Sequence, residues 1–130
     1  MSYKFGASSL EKLKTCDSKI IFVMEKAIQI IDFSVICGHR GMKDQNKAFR
    51  AGRSKLQWPK SKHNSTPSKA IDIAPWPINW KDTKRFYYLG GIVMGIAQEN
   101  NIQLRWGGDW DMDGDTSDNS FNDLAHFELV

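Results

Sequence analysis

Cysteine is scarce in this chain: of 130 residues only Cys16 and Cys37 are cysteine, with no C-x-x-C spacing between them. That excludes a disulfide framework, and both are read as reduced thiols acting as small hydrophobes outside any site. Long apolar runs are missing too. No stretch approaches the roughly 20 apolar residues of a membrane span, and the opening MSYKFGASSLEKLKTCDSK lacks a signal-type apolar core. The expectation is a soluble protein made in the cytosol, with no membrane insertion. Acidic residues are sparse early on: residues 1–70 hold 5 against 14 Lys and Arg, whereas residues 71–130 hold 10 against 4. A net charge of +3 therefore hides a basic part and an acidic part. The densest basic run, Arg40 to Lys69, suits an anionic polymer or a solvated face. It has no helix-turn-helix or interleaved aromatic signature, so nucleic acid is not an expected partner.

What is present fits one domain over residues 1–130, with 41% hydrophobic and 25% charged residues. Ile20, Met24, Ala27, Ile28 and Ile31 recur at helical spacing, predicting a helix over 17–31. Phe33 to Cys37 reads as a strand that ends at Gly38 and delivers His39 and Arg40. A short helix is expected over 42–51, with Gln45 and Phe49 on one side, and a long loop over 52–68. Ala70 to Ala74 alternates, setting Ala70, Asp72 and Ala74 on one face and Ile71 with Ile73 on the other. A second long helix is expected over 82–99. Gly90, Gly91 and Gly95 weaken it by about 1 kcal/mol each against alanine, so close packing on a neighbour is the expected compensation. Strands follow at 103–106 and 126–130, separated by an acidic loop over 107–122. In the last strand His126 and Glu128 share a face opposite Phe127 and Leu129.

Histidine is rarer than it first seems useful to be: His39, His63 and His126 are all there is. Two of them stand near carboxylates, in Ser61-Lys62-His63 leading to Ala70-Ile71-Asp72, and in Asp123-Leu124-Ala125-His126. Two imidazoles and a carboxylate are the three protein ligands a catalytic zinc commonly takes, with a fourth position open to water. A metal-activated water still needs a carboxylate to take its proton, and Asp123, three residues before His126, suits that task. Each residue also has an ordinary reading: His63 as a polar loop residue, Asp72 as a cap or ion-pair partner, His126 as a satisfied edge-strand histidine. His39 reads as a wall or surface residue.

Ser-x-His followed by Ala-x-Asp-x-Ala-Pro, and later Asp-x-x-His-Phe-Glu-Leu, resembles the LAS-type zinc peptidases, the group of D-Ala-D-Ala carboxypeptidases and dipeptidases. The likeness is strongest to phage endolysins that are L-alanyl-D-glutamate peptidases. It extends over Cys37-Gly38-His39-Arg40, Gln45, Gly52-Arg53-Ser54-Lys55 and Trp106-Gly107-Gly108-Asp109-Trp110. One departure is that eight residues, 64 to 71, separate His63 from Asp72, where many relatives have six.

The resemblance implies an α+β domain of hedgehog/DD-peptidase type, with helices packed on a small, mostly antiparallel sheet. It implies zinc held by His63, Asp72 and His126, with Asp123 as catalytic acid/base and Arg40 as a cation near a substrate carbonyl or carboxylate. Ser54, Ser61 and Trp110 are expected to line the substrate groove. The implied activity is hydrolysis of the L-Ala-D-Glu bond of the peptidoglycan stem peptide by a monomer. It would stay in the host cytoplasm until lysis and then act in the periplasm on the cell wall. The alternatives are a D-Ala-D-Ala carboxypeptidase or dipeptidase, and a zinc-stabilised cell-wall binding module without turnover. Asp109 to Asp115 superficially matches the opening of a calcium loop, but its twelfth position is Ser120 in place of a bidentate Glu. An EF-hand is not expected; the choice is between a solvated loop and a looser calcium (Ca2+) site, as some related endolysins possess. Of the five tryptophans, Trp58 and Trp110 are the ones expected near the site, the others packing residues.

Overall fold

The computed structural model describes residues 3–117 and 122–130. Four strands, β1 (Phe33–Cys37), β2 (Ala70–Pro75), β3 (Leu104–Gly107) and β4 (Asp123–Leu129), form an antiparallel sheet in the order β1-β2-β4-β3. Four α-helices accompany it: α1 (Ala7–Leu13), α2 (Ser18–Ala27), α3 (Met42–Arg50) and α4 (Thr83–Glu99). This is the expected α+β arrangement.

Helix α2 starts where Asp17 accepts a hydrogen bond from Lys19 N at 2.9 Å, filling one of the orphan donors of a helix start. Its buried stripe, Ile20, Val23, Met24 and Ala27, packs with Leu89, Val93 and Ala97 of α4 and with Ile71 and Ile73 of β2. The helix is shorter than the periodicity predicts. It ends at Ala27, and residues 28–30 form a tightened turn in which Gln29 N and Ile30 N bond three residues back, to Lys26 O and Ala27 O.

Helix α1 is not anticipated by the sequence pattern. Its seven residues bury only Ser9 and Leu13, too few to show a period, and Ser9 Oγ accepts from Val35 N at 3.0 Å to dock it on β1. In α3 the buried side is Gln45 with Ala48, while Phe49 faces solvent, contrary to the expected Gln45–Phe49 face.

Of the three α4 glycines, Gly90 meets the expectation of close packing. A Cβ there would lie 2.3 Å from Trp106 Cζ2, so its absence lets the indole lie against the helix. Trp106 stacks on Phe127 with centroids 6.0 Å apart and donates from Nε1 to Leu124 O at 2.9 Å. Gly91 and Gly95 have nothing within 4 Å, and no packing reason for them is present.

Strand β4 begins three residues earlier than the predicted strand, at Asp123, and its pairing is irregular. Trp106 pairs with Phe127 but the next β3 residue, Gly107, pairs with Asp123, so residues 124–126 bulge out of the β3–β4 ladder while His126 stays paired with Asp72 of β2. Strict alternation would set Asp123 and His126 on opposite faces. The bulge re-aims them toward one site, as bulges beside functional sites commonly do.

Candidate metal centre

The residues at this centre arrive from three separate elements: His63 on a short turn, Asp72 on β2, and Asp123 with His126 on β4. His63 sits on a one-turn 3-10 helix, Lys62–Asn64, capped reciprocally: Ser61 Oγ accepts from His63 N at 3.2 Å, and Asn64 Oδ1 accepts from Ser61 N at 3.1 Å. Arg40 N donates to His63 O at 2.8 Å, tying the turn to the exit of β1. The predicted loop over 52–68 thus contains an ordered turn. The eight-residue gap before Asp72 is taken up by local closure, with Ser65 Oγ donating to Pro67 O at 2.9 Å and Lys69 N to Lys62 O at 3.0 Å.

Asp72 lies on β2, paired with His126 on β4, between Ala70 and Ala74 on its own face as the alternation predicts. Its Oδ1 lies 3.3 Å from His63 Nε2 and 3.1 Å from His126 Nδ1. The outer nitrogens are held by acceptors: His63 Nδ1 lies 2.7 Å from Gly38 O, and His126 Nε2 lies 2.7 Å from Glu128 Oε1. A carbonyl and an ionised carboxylate can only accept, so both outer nitrogens carry protons. The inner nitrogens, His63 Nε2 and His126 Nδ1, then both face Asp72 Oδ1. Asp72, Asp123 and His126 can each offer one ligand atom within 4.8 Å of the others, and so can Cys37, His63 and Asp72. Asp72 joins the two groups.

The electrostatics fit a cation at that point. Burial alone would lower the affinity of His63 for a proton, but hydrogen bonds to Asp72 and Cys37, and their charges, raise it to about 10. For His126 the same opposition, with Asp72 and Glu128 as partners, ends at about 9. Asp72 is held well below the usual carboxylate range, its burial outweighed by the hydrogen bonds from His126 and His63. The negative charge of Asp72 that draws protons to these two imidazoles would equally draw a metal cation, which would have to displace those protons to bind. The donor set of two nitrogens and one carboxylate oxygen suits zinc. Asp123 is shifted the other way: burial first, then the negative charge of Asp72, raises its carboxyl.

Arg40 is half-buried, with Nη1 donating to Gln45 Oε1 at 3.0 Å and Nη2 to Asp72 Oδ2 at 3.4 Å. Gln45 is fully buried and has no role in the sequence reading beyond the resemblance. Its oxygen also accepts from Asn64 Nδ2 at 3.1 Å, and its Nε2 donates to Leu56 O at 2.6 Å and Ser54 Oγ at 2.9 Å. One side chain therefore ties Arg40, the His63 turn and the loop at 54–56 together.

Ser54, Ser61 and Trp110 all line a cavity of about 450 Å³ with His63, Asp72, Asp123 and His126. The hydroxyl of Ser54 serves Gln45 and Leu56, and that of Ser61 caps the His63 turn. Trp110 lies tilted against the His126 ring, centroids 5.5 Å apart. His39 is exposed and its ring is not among these groups.

Two further groups escaped the sequence reading. Cys37, set aside there, lies beside His63 and Asp72 because β1 pairs Cys37 with Asp72. Glu128 orients His126 and is itself contacted by Arg105 at 2.6 Å and Lys62 at 3.4 Å; hydrogen bonds from His126 first and then Arg105 hold its carboxyl down to about 2 against its own burial. The alternation that put His126 and Glu128 on one face was the available signal.

Asp109, Asp111 and Asp113 form a separate cluster in the acidic loop, also with ligand atoms within 4.8 Å of one another. Asp109 there accepts from Gly114 N at 2.8 Å. Ser120, the twelfth position counted from Asp109, lies outside the described residues.

Fold and site together define a class: a small α+β protein whose antiparallel sheet carries, on one face, a cluster able to hold a metal ion beside a buried carboxylate. The chain belongs to the phage L-alanyl-D-glutamate peptidase family, whose model matches residues 1–130. It is 33% identical to the L-alanyl-D-glutamate peptidase of Escherichia phage T5 over 139 residues, spanning the whole of both chains. Its fold is similar to the crystal structure of the L-Ala D-Glu endopeptidase ChiX of Serratia marcescens, with a TM-score of 0.78 and 26% identity, covering 98% of this chain and 90% of that one.

Proposed function

We propose that this protein is a zinc-dependent endopeptidase that hydrolyses the L-Ala-D-Glu bond of the peptidoglycan stem peptide. The observation that carries this reading is the approach of His63 Nε2 and His126 Nδ1 to one oxygen, Asp72 Oδ1, with outer nitrogens anchored on Gly38 and Glu128, beside the half-buried Asp123. His63, Asp72 and His126 would hold the ion. Zinc, when bound, would supply Lewis acidity that activates water and polarises a scissile carbonyl. Asp123 takes the proton of the attacking water and returns it to the leaving amine; burial and the charge of Asp72 raise its carboxyl above the ordinary carboxylate value, which favours accepting that proton. Arg40 spends two N–H donors on Gln45 and Asp72 and retains others for a substrate carbonyl or carboxylate. Ser54, Ser61 and Trp110 shape the groove.

The oxygen-only cluster of Asp109, Asp111 and Asp113 is of the type that suits calcium, and is assigned to no step. No helix among the described residues is long and apolar enough to cross a membrane. The site of action is the cell wall, reached from the host cytoplasm at lysis, and the working form is a monomer. A non-catalytic binding module would have no use for a half-buried proton carrier at the metal cluster.

Metal removal and restoration test the cofactor half of the reading. Chelation should abolish peptide release from cell walls, and one equivalent of zinc per chain should restore it. Full activity after complete metal removal would overturn it.

A further inference from the structure

Two cavities meet at the metal cluster, and they differ in chemistry. The first, of about 450 Å³, is lined by six cationic side chains, Arg40, Arg53, Lys55, Lys60, Lys62 and Arg105, against three acids. The second, of about 620 Å³, is lined by three cations, Arg40, Lys47 and Arg53, and three acids, Asp44, Asp72 and Asp123, and is bordered by Trp80. Arg40, Arg53, Asp72 and Asp123 belong to both. The cleft therefore runs through the reacting centre from a basic end to an electrically balanced, aromatic end.

Trp80 is 57% exposed, an uncommon cost for so large an apolar surface. Its ring is held in place nonetheless. It stacks on the buried Phe86, centroids 5.4 Å apart and planes 23° apart. The preceding loop is clamped by Arg85, which donates to Trp76 O at 2.5 Å and Pro77 O at 2.8 Å, and by Asp82 N donating to Asn79 O at 3.0 Å. A third, small cavity places Trp80 next to Asp123. An indole fixed in advance, with one face packed and much of its surface in water, costs little entropy when it binds a flat partner.

Under the peptidase reading, on which this inference rests, the substrate has the same asymmetry. On the carboxyl side of the L-Ala-D-Glu bond lie the free carboxylate of D-Glu and the next, charged, residue. On the amino side a single alanine intervenes before the lactyl ether of an N-acetylmuramyl sugar, a neutral ring with an apolar C–H face. At about 3.5 Å per residue, the sugar begins within about 7 Å of the scissile carbonyl. We infer that Trp80 is a sugar platform: its exposed indole binds the muramyl ring at the balanced end of the cleft, while the basic end takes the stem carboxylates. This fixes the direction of the peptide across the metal cluster and makes the enzyme prefer glycan-linked stems over free peptide.

The test compares two matched substrates: the stem peptide capped by N-acetyl on L-Ala, and the same peptide attached to N-acetylmuramic acid. The wild type should cleave the muramyl substrate with a kcat/KM about tenfold above the capped peptide, the scale of one aromatic contact. Trp80→Ala should collapse that ratio toward one, mainly through KM, and Trp80→Phe should restore part of it. Equal kcat/KM on both substrates in the wild type, or an equal loss on both in Trp80→Ala, would overturn the platform while leaving the peptidase reading intact. Cleavage of neither by metal-loaded wild type would overturn both.

Discussion

Glu128 accepts the Nε2 proton of His126 at 2.7 Å, and that contact decides which nitrogen of His126 faces Asp72. Hydrogen bonds from His126 and Arg105 keep Glu128 ionised, so it can only accept. The cluster thus depends on a residue that contributes nothing to it directly, the usual arrangement for an imidazole ligand.

Removing Glu128 should therefore weaken metal binding without removing a ligand. Glu128→Ala is expected to lower zinc affinity by about 10- to 100-fold, and Glu128→Gln, which keeps an acceptor, by less. Competition titration against a zinc-binding dye measures both. Unchanged affinity in Glu128→Ala would detach His126 from the metal.

The metal-free protein should be most heat-stable in mildly acidic solution. Asp72 and Glu128 are lowered on folding, so their contribution is present above their unfolded values of about 4 and is lost as pH falls toward 2. His63 and His126 are raised, so theirs is complete below about 6.5 and is lost as pH rises through about 9 and about 10. Melting temperatures of chelated protein should peak between about pH 5 and 6.5. With zinc bound the imidazoles are already neutral, and the alkaline decline should shrink. Identical profiles with and without metal would contradict the assignment.

Gly107 controls where Asp123 sits. A Cβ on Gly107 would lie 2.0 Å from Asp123 O, so Gly107→Ala must push the two strands apart at the bulge. The expected cost is about 1–3 kcal/mol in stability, read by denaturant unfolding, with a larger loss of turnover than of zinc affinity. Gly91→Ala, where a Cβ meets nothing within 4 Å, serves as the control.

Much of the site was legible because its chemistry is carried by residue types with few other uses. The motifs named His63, Asp72, Asp123 and His126, which the fold brings together, and the β-prone run gave the exact span of β1. The groups that escaped are those defined by contacts distant in sequence. Cys37 enters the site only through its pairing with Asp72, and Gln45 becomes a hub only once α3, the His63 turn and the loop at 54–56 surround it. The bulge that turns Asp123 toward His126 leaves no periodic trace, because it breaks the very alternation a sequence reading relies on. Helix α1 is too short for a stripe, and Ile28 and Ile31 extended the apparent period of α2 beyond its end.

The proposed division of labour at the centre, three residues holding the metal and Asp123 moving protons, is tested most directly by digesting purified sacculi with wild type, Asp123→Ala and His126→Ala. Mass analysis of the released fragments, paired with metal content of each protein, is the measurement. The wild type should create new L-Ala carboxyl and D-Glu amino ends. Asp123→Ala should keep its zinc and lose about 10²- to 10⁴-fold in rate, and His126→Ala should lose both zinc and activity. Equal cleavage by all three proteins, or new ends at any other bond, would contradict it.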